Sequence, residues 1–275
     1  MNVIEQALVS RTGKASDCED ALCVTDWFVC VVDGVTFKGA TLVPGPAPGR
    51  IAAGLICECV EQFPFDIDFR TAVHTLTVRI QEFCKTLPAA APGEDYRKHI
   101  AASVVVLSRH RREIWSVGDC QILMADRIIV NRNNLDSVAA DARALYLESE
   151  LLRGKSIPDL LGHDTGRDFI QPLLSRQHEF LNLETPSEFC YAAVCGVPLP
   201  ERLMIHPIGI PTDVTEVVLA SDGYPHLAPT LEESERLLKK AIEEDPLRFR
   251  KAKSTKGMRT GNVSFDDRSY IRVLL

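Results

Sequence analysis

Apolar and polar residues recur along this chain with two periods, near two and near 3.6, and the switches between them mark the expected elements. Residues 7–10 and 21–32 read as strands. The second contains Trp27-Phe28-Val29-Cys30-Val31-Val32 and stops at Asp33-Gly34. β-branched and aromatic side chains suit such pleated, half-buried positions. A Pro- and Gly-rich breaker at 44–49 separates this run from two helices. In the first, Ile51, Leu55, Ile56 and Cys59 share a face. In the second, Phe69, Val73, Leu76, Ile80 and Phe83 form an apolar stripe.

After a loop around 88–93, short strands are expected at 102–108, 113–117, 121–125 and 128–130, then a helix over 135–153. The stretch 154–186 has no clear period and reads as a flap or insertion, with a turn at His163-Asp164-Thr165-Gly166. Strands resume at 188–193, 204–208 and 216–220, the last again stopping at an aspartate, Asp222-Gly223. Thr230 and Glu233 have the spacing of a capping box and open a helix to about 244. A basic loop over 248–259 leads to a final strand at 269–275. Hairpin-linked strands with helices in consecutive pairs define an α+β layered domain of antiparallel sheets covered by helices. The whole chain, 1–275, reads as one domain.

Composition changes this picture little. At 45% hydrophobic and 25% charged residues, the chain has what a folded globular domain needs to build a core. A formal net charge of -7 argues against a general nucleic-acid binder. No apolar run is long enough for a membrane span, and the first twenty residues lack a signal-peptide pattern, so a cytoplasmic protein is expected. Nine scattered cysteines without a C-x-x-C pair read as reduced thiols rather than a zinc site.

Carboxylates concentrate where strands begin and end: Glu19-Asp20, Asp33, Asp222 and Asp266-Asp267. One Asp-Gly is most simply a turn. A set of them on strand ends faces one edge of a sheet layer, where unpaired acids repel and disturb each other's protonation. Hard cations such as Mg²⁺ or Mn²⁺ relieve that repulsion and prefer oxygen donors.

Five stretches in order, Glu19-Asp20-Ala21, Val32-Asp33-Gly34-Val35, Ser116-Val117-Gly118-Asp119, Leu219-Ala220-Ser221-Asp222-Gly223 and Asp266-Asp267-Arg268-Ser269, resemble the motifs of the metal-dependent serine/threonine phosphatases of the protein phosphatase 2C type. The resemblance spans residues 19–273. It implies two central antiparallel β-sheets sandwiched between pairs of helices. It also implies hydrolysis of phosphoserine and phosphothreonine in proteins through a bridging hydroxide on two Mn²⁺ or Mg²⁺ ions. By the same resemblance Asp33 bridges the metals, the Gly34 carbonyl binds one, and Asp222 and Asp266 complete the set. Glu19 and Asp20 hold metal-bound waters, and Asp119 matches the position of a weak third metal.

The departures are local. Cys18 stands where the family has asparagine, Val35-Thr36-Phe37-Lys38 replaces its glycine-rich or histidine-containing run, and His226 replaces an aspartate of the third site. Asp267 replaces asparagine, which leaves open whether Asp266 or Asp267 coordinates. The phosphate-binding arginine is missing at Ala15, so either Arg11 or Lys14 is expected to take that role. His163 and His178 read as loop bystanders, and Lys251, Lys253, Lys256 and Arg259 as a solvated loop or a contact for a phosphorylated partner. The expected partners are a phosphorylated protein substrate and a cognate serine/threonine kinase. Two other classes compete: a pseudophosphatase binding module, and a small-molecule phosphomonoesterase on the same fold.

Overall fold

The structure is a computed structural model that describes residues 1–38, 45–88 and 95–275. Pro44, Gly39 and most of the expected 88–93 loop lie outside the described residues. The elements are β1 (Asn2–Val9), β2 (Ala21–Val24), β3 (Phe28–Gly34), α1 (Pro48–Glu61), α2 (Phe69–Lys85), α3 (Tyr96–His99), β4 (Ala101–Ser108), β5 (Glu113–Val117), β6 (Gln121–Met124) and β7 (Arg127–Ile129). Then follow α4 (Asn134–Leu152), α5 (Ile157–Gly162), α6 (Thr165–Ser175), β8 (Val194–Cys195), β9 (Ile208–Gly209), β10 (Glu216–Ala220), α7 (Leu231–Glu244) and β11 (Arg268–Leu274).

The strands form two antiparallel sheets, one ordered β1-β11-β10-β6-β7 and the other β2-β3-β4-β5-β9 with β8 paired to β4. The period-two alternation explains how they stack. On β3, Phe28, Cys30 and Val32 meet α1 and α2, while Val29 and Val31 meet the other sheet. Val217 and Leu219 of β10 and Ile271 and Val273 of β11 close the inter-sheet core from the far side. The opposite faces of those strands, Val218, Ala220 and Tyr270, pack with Leu238 of α7. The expected α+β sandwich is therefore present, with α1 and α2 on one outer face and α7 on the other.

Local chemistry sets several boundaries. Asp68 caps α2 by accepting from the Thr71 N–H, and Thr230 caps α7 through the Glu233 N–H. The run read as one strand over 21–32 is a hairpin, because the Thr25 hydroxyl accepts from the Trp27 and Phe28 N–H groups and turns the chain. The stretch 154–186, expected to be irregular, contains α5 and α6, with α6 packed on α4 through Ala139, Ile170 and Leu174. The expected strand at 188–193 is absent, the one at 204–208 is reduced to the two residues of β9, and the one at 128–130 lies one residue earlier, as β7. All nine thiols are free, and among the described residues no helix is long and apolar enough to cross a membrane.

Candidate metal centre

Strand parity places the first carboxylate. Asp33 shares the parity of Val29 and Val31, so it reaches into the gap between the sheets at the end of the apolar core. Across the gap, β10 ends and Asp222 follows, its N–H 3.5 Å from Asp33 Oδ2. The two residues belong to different sheets, so the site lies on the seam of the sandwich. Asp20 is held from below by the Ser269 hydroxyl at 2.9 Å. Ser269 is itself fixed by paired bonds with Ser221, whose hydroxyl accepts from the Ser269 N–H at 2.9 Å.

Asp119 sits on the link between β5 and β6, its Oδ1 accepting from the Ser103 hydroxyl at 2.6 Å. Ser103 is the cross-strand partner of Asp33. Gly118 makes this approach possible, since it has φ +92° and a Cβ there would lie 2.2 Å from Ser103 Oγ. Asp20, Asp33, Asp119, Asp222 and Asp266 all line one cavity of about 530 Å³.

None of Asp20, Asp33, Asp119 and Asp222 has an ion-pair partner among the described residues. Desolvation, then the charges of Asp20 and Asp222, push the Asp33 carboxyl well above the usual carboxylate range. Desolvation and Asp266 push Asp20 up to about 8, and desolvation and Asp222 push Asp119 up to about 7. Asp222 is open to the cavity and is raised for the same two kinds of reason, its neighbour being Asp266. Glu19 adds a further acceptor. Its Oε2 accepts from Thr36 at 2.6 Å, while Oε1 is buried with no hydrogen-bond partner among the described residues.

Asp266 and Asp267, equivalent in the sequence, part company here. Asp267 is structural. Its Oδ1 accepts from the Ser10 hydroxyl and the Arg11 N–H, and its Oδ2 from the Glu19 N–H and the Arg11 guanidinium. It thereby ties the end of β1 to the Glu19-Asp20 segment. Asp266 carries the Lys256 ammonium on Oδ2 and the Arg11 guanidinium, at 3.5 Å, on Oδ1. Against desolvation, Lys256 and then Arg11 hold its carboxyl below the usual range.

Neither expected phosphate-binding residue lines the cavity. Arg11 is spent on Glu19, Asp266 and Asp267, and Lys14 is exposed. Lys38, Arg248 and Lys256 face the acids instead. Desolvation and the charges of Lys256 and Arg167 push the Lys38 ammonium down to about 7. The sequence signal for Lys38 was its place in the departing run after Asp33-Gly34. His163 pairs with Asp168 at 2.6 Å on the exposed surface, outside the cavity lining.

The motif resemblance in the sequence implies a divalent cation, and the donors test the idea. Hard, mutually repelling oxygens of Asp20, Asp33, Asp119 and Asp222 on one cavity are the chemistry that Mg²⁺ or Mn²⁺ satisfies. That half of the site fits. Among the described residues no three Asp, Glu, His or Cys side chains converge on one point, and Asp266 already has a cation.

Raised carboxylates also make a stability prediction. Asp20 and Asp119 take up protons in the folded chain well above their unfolded value of 3.8. Their stabilising contribution is therefore complete below about pH 4 and lost as pH rises through 7 and 8. Metal-free protein should melt several degrees lower at pH 8.5 than at pH 6, and millimolar Mn²⁺ should remove most of that loss. Scanning calorimetry at the two pH values checks it, and a metal-free melting temperature that rises with pH would reject it.

No protein-family model matches the sequence, and no curated protein matches it. Solved structures are. The fold is that of the protein phosphatase 2C type. The catalytic domain of the serine/threonine protein phosphatase PstP in complex with two manganese ions superposes with a TM-score of 0.50 at 13% identity, covering 99% of each chain. Stp1 from Staphylococcus aureus matches at TM-score 0.47 and 11% identity, over 100% of this chain and 96% of that one. PppA from Pseudomonas aeruginosa matches at 0.46 and 13%, over 98% and 96%.

Proposed function

We propose that the protein is a metal-dependent phosphatase that hydrolyses phosphoserine and phosphothreonine in proteins. The observation that carries the reading is the set of four unpaired carboxylates at one end of the inter-sheet seam. Such a set is costly unless a cation or protons neutralise it. A bound Mg²⁺ or Mn²⁺ would lower the pKa of water and offset charge on the phosphoryl group.

The chain's own residues do the rest. Asp33 and Asp222 would hold the ion from the two sheets, with the Gly34 backbone beside them. Asp20, fixed by Ser269, and Asp119, fixed by Ser103, accept hydrogen bonds from water and keep it oriented. Lys38 and Arg248 stand on the cavity wall, where a phosphoryl group needs positive charge. The cavity is open, and the PstP structure of the same fold is described as a serine/threonine protein phosphatase. A protein side chain is thus the substrate the reading favours.

Turnover of a phosphothreonine peptide and of p-nitrophenyl phosphate, with chelator and with excess Mn²⁺ or Mg²⁺, tests this. Hydrolysis should vanish with the chelator, return with the metal, and favour the peptide. Full turnover by metal-free protein would overturn the metal reading, and preference for the small ester would overturn the protein substrate.

A further inference from the structure

We propose that Lys256 is a built-in cation of this centre: its ammonium fills the place at Asp266 that a second divalent ion would take, so the site holds one ion, between Asp33 and Asp222. The proposal rests on the phosphatase reading for that ion and adds its number and the residue that sets it.

The asymmetry of the carboxylates is the first support. Asp33 and Asp222 approach each other with no ion-pair partner among the described residues, whereas both oxygens of Asp266 are engaged, Oδ2 by Lys256 and Oδ1 by Arg11. A divalent ion seated on Asp266 would touch the ammonium. Two positive charges at contact repel strongly unless water intervenes, so the ion and the lysine compete for one carboxylate.

The second support is the way the chain delivers Lys256. A lysine in a solvated loop would roam, because fixing its four-carbon stem costs conformational entropy. This loop is clamped on both sides. Arg143 of α4, fully buried and paired with Asp164, donates to the carbonyls of Leu247 at 2.8 Å and Ser254 at 3.0 Å. Arg167 of α6 donates to the Thr255 carbonyl at 2.7 Å, the residue next to Lys256. On the other flank Gly257 lies so close to Leu247 that a Cβ would meet its carbonyl oxygen at 2.6 Å, and the Met258 N–H donates to the Pro246 carbonyl at 2.7 Å. The helices over 134–175 thus act on the site by holding one lysine against one aspartate.

Calorimetry and electron paramagnetic resonance titration with Mn²⁺ alone, on the full chain at fixed pH, decide the matter. The wild type should bind one ion, Lys256→Gln two, and Lys256→Arg one. The second ion of Lys256→Gln should bind at least about tenfold tighter than any residual second binding in the wild type. Circular dichroism verifies that each variant is folded. Two tight ions in the wild type overturn the proposal, and that result does not depend on any variant. Unchanged stoichiometry in folded Lys256→Gln also overturns it, and would leave Lys256 as a contact for substrate phosphate. In both cases metal-dependent hydrolysis leaves the phosphatase reading standing, whereas absence of any ion sensitive to Asp33→Asn overturns both.

Discussion

Asp33→Asn is expected to reduce phosphopeptide turnover by about two to three orders of magnitude while the protein stays folded. The substitution changes almost no volume, and the strand that carries Asp33 is fixed along its length by β2 and β4. What changes is charge. Asp33 is the acid most surrounded by other acids, with Asp20, Asp222, Asp119 and Asp266 all raising it. An amide cannot offer a cation the same attraction, so affinity for Mn²⁺ should fall with turnover. Metal-free protein should hold its melting temperature or gain, because repulsion is relieved. Calorimetric Mn²⁺ binding and peptide hydrolysis are the measurements; wild-type values for both would show that the centre lies elsewhere.

Gly34→Ala should be strongly destabilising, costing about 3 kcal/mol. A Cβ at this position would sit 2.4 Å from the Glu19 carbonyl oxygen and 2.5 Å from the backbone of Gly49, at the start of α1. Those are main-chain atoms, and they cannot step aside as a side-chain tip could. Either β3 or α1 must shift, taking Asp33 or the Glu19-Asp20 segment with it. A denaturant midpoint equal to wild type would contradict this packing. The glycine is needed for close approach, not for a left-handed backbone, since its φ is not positive.

That distinction shows what the sequence discloses and what it hides. The alternation along β3, β10 and β11 was legible because each strand has one face on the inter-sheet core and one on a helix layer. The motif aspartates were legible because they interrupt those apolar runs at their ends. Arg11 drew attention as a cation just upstream of Glu19-Asp20. Besides nearby Glu19, it holds Asp266 and Asp267, more than 250 residues away in the chain, which no local pattern reveals. Helices α5 and α6 were hidden because one is six residues long and the other contains Gly166 and Pro172. Gly166 is there for contact, since a Cβ would lie 2.7 Å from a Leu147 side-chain carbon. Lys256 looked like part of a solvated run because its neighbours Lys251 and Lys253 do pair with surface acids, Glu244 and Asp141. Its own fate is decided by arginines on distant helices.

The placement of Asp33 and Asp222 on opposite sheets, 189 residues apart, gives a bound ion a mechanical part as well as a chemical one. An ion gripped by both would be a removable staple across the seam, closing a long loop through charge rather than through a covalent bond. Their separation is gauged by the thickness of the valine, leucine and isoleucine layer beneath them. Natural variation in that layer could therefore retune the grip on the ion without altering a single carboxylate.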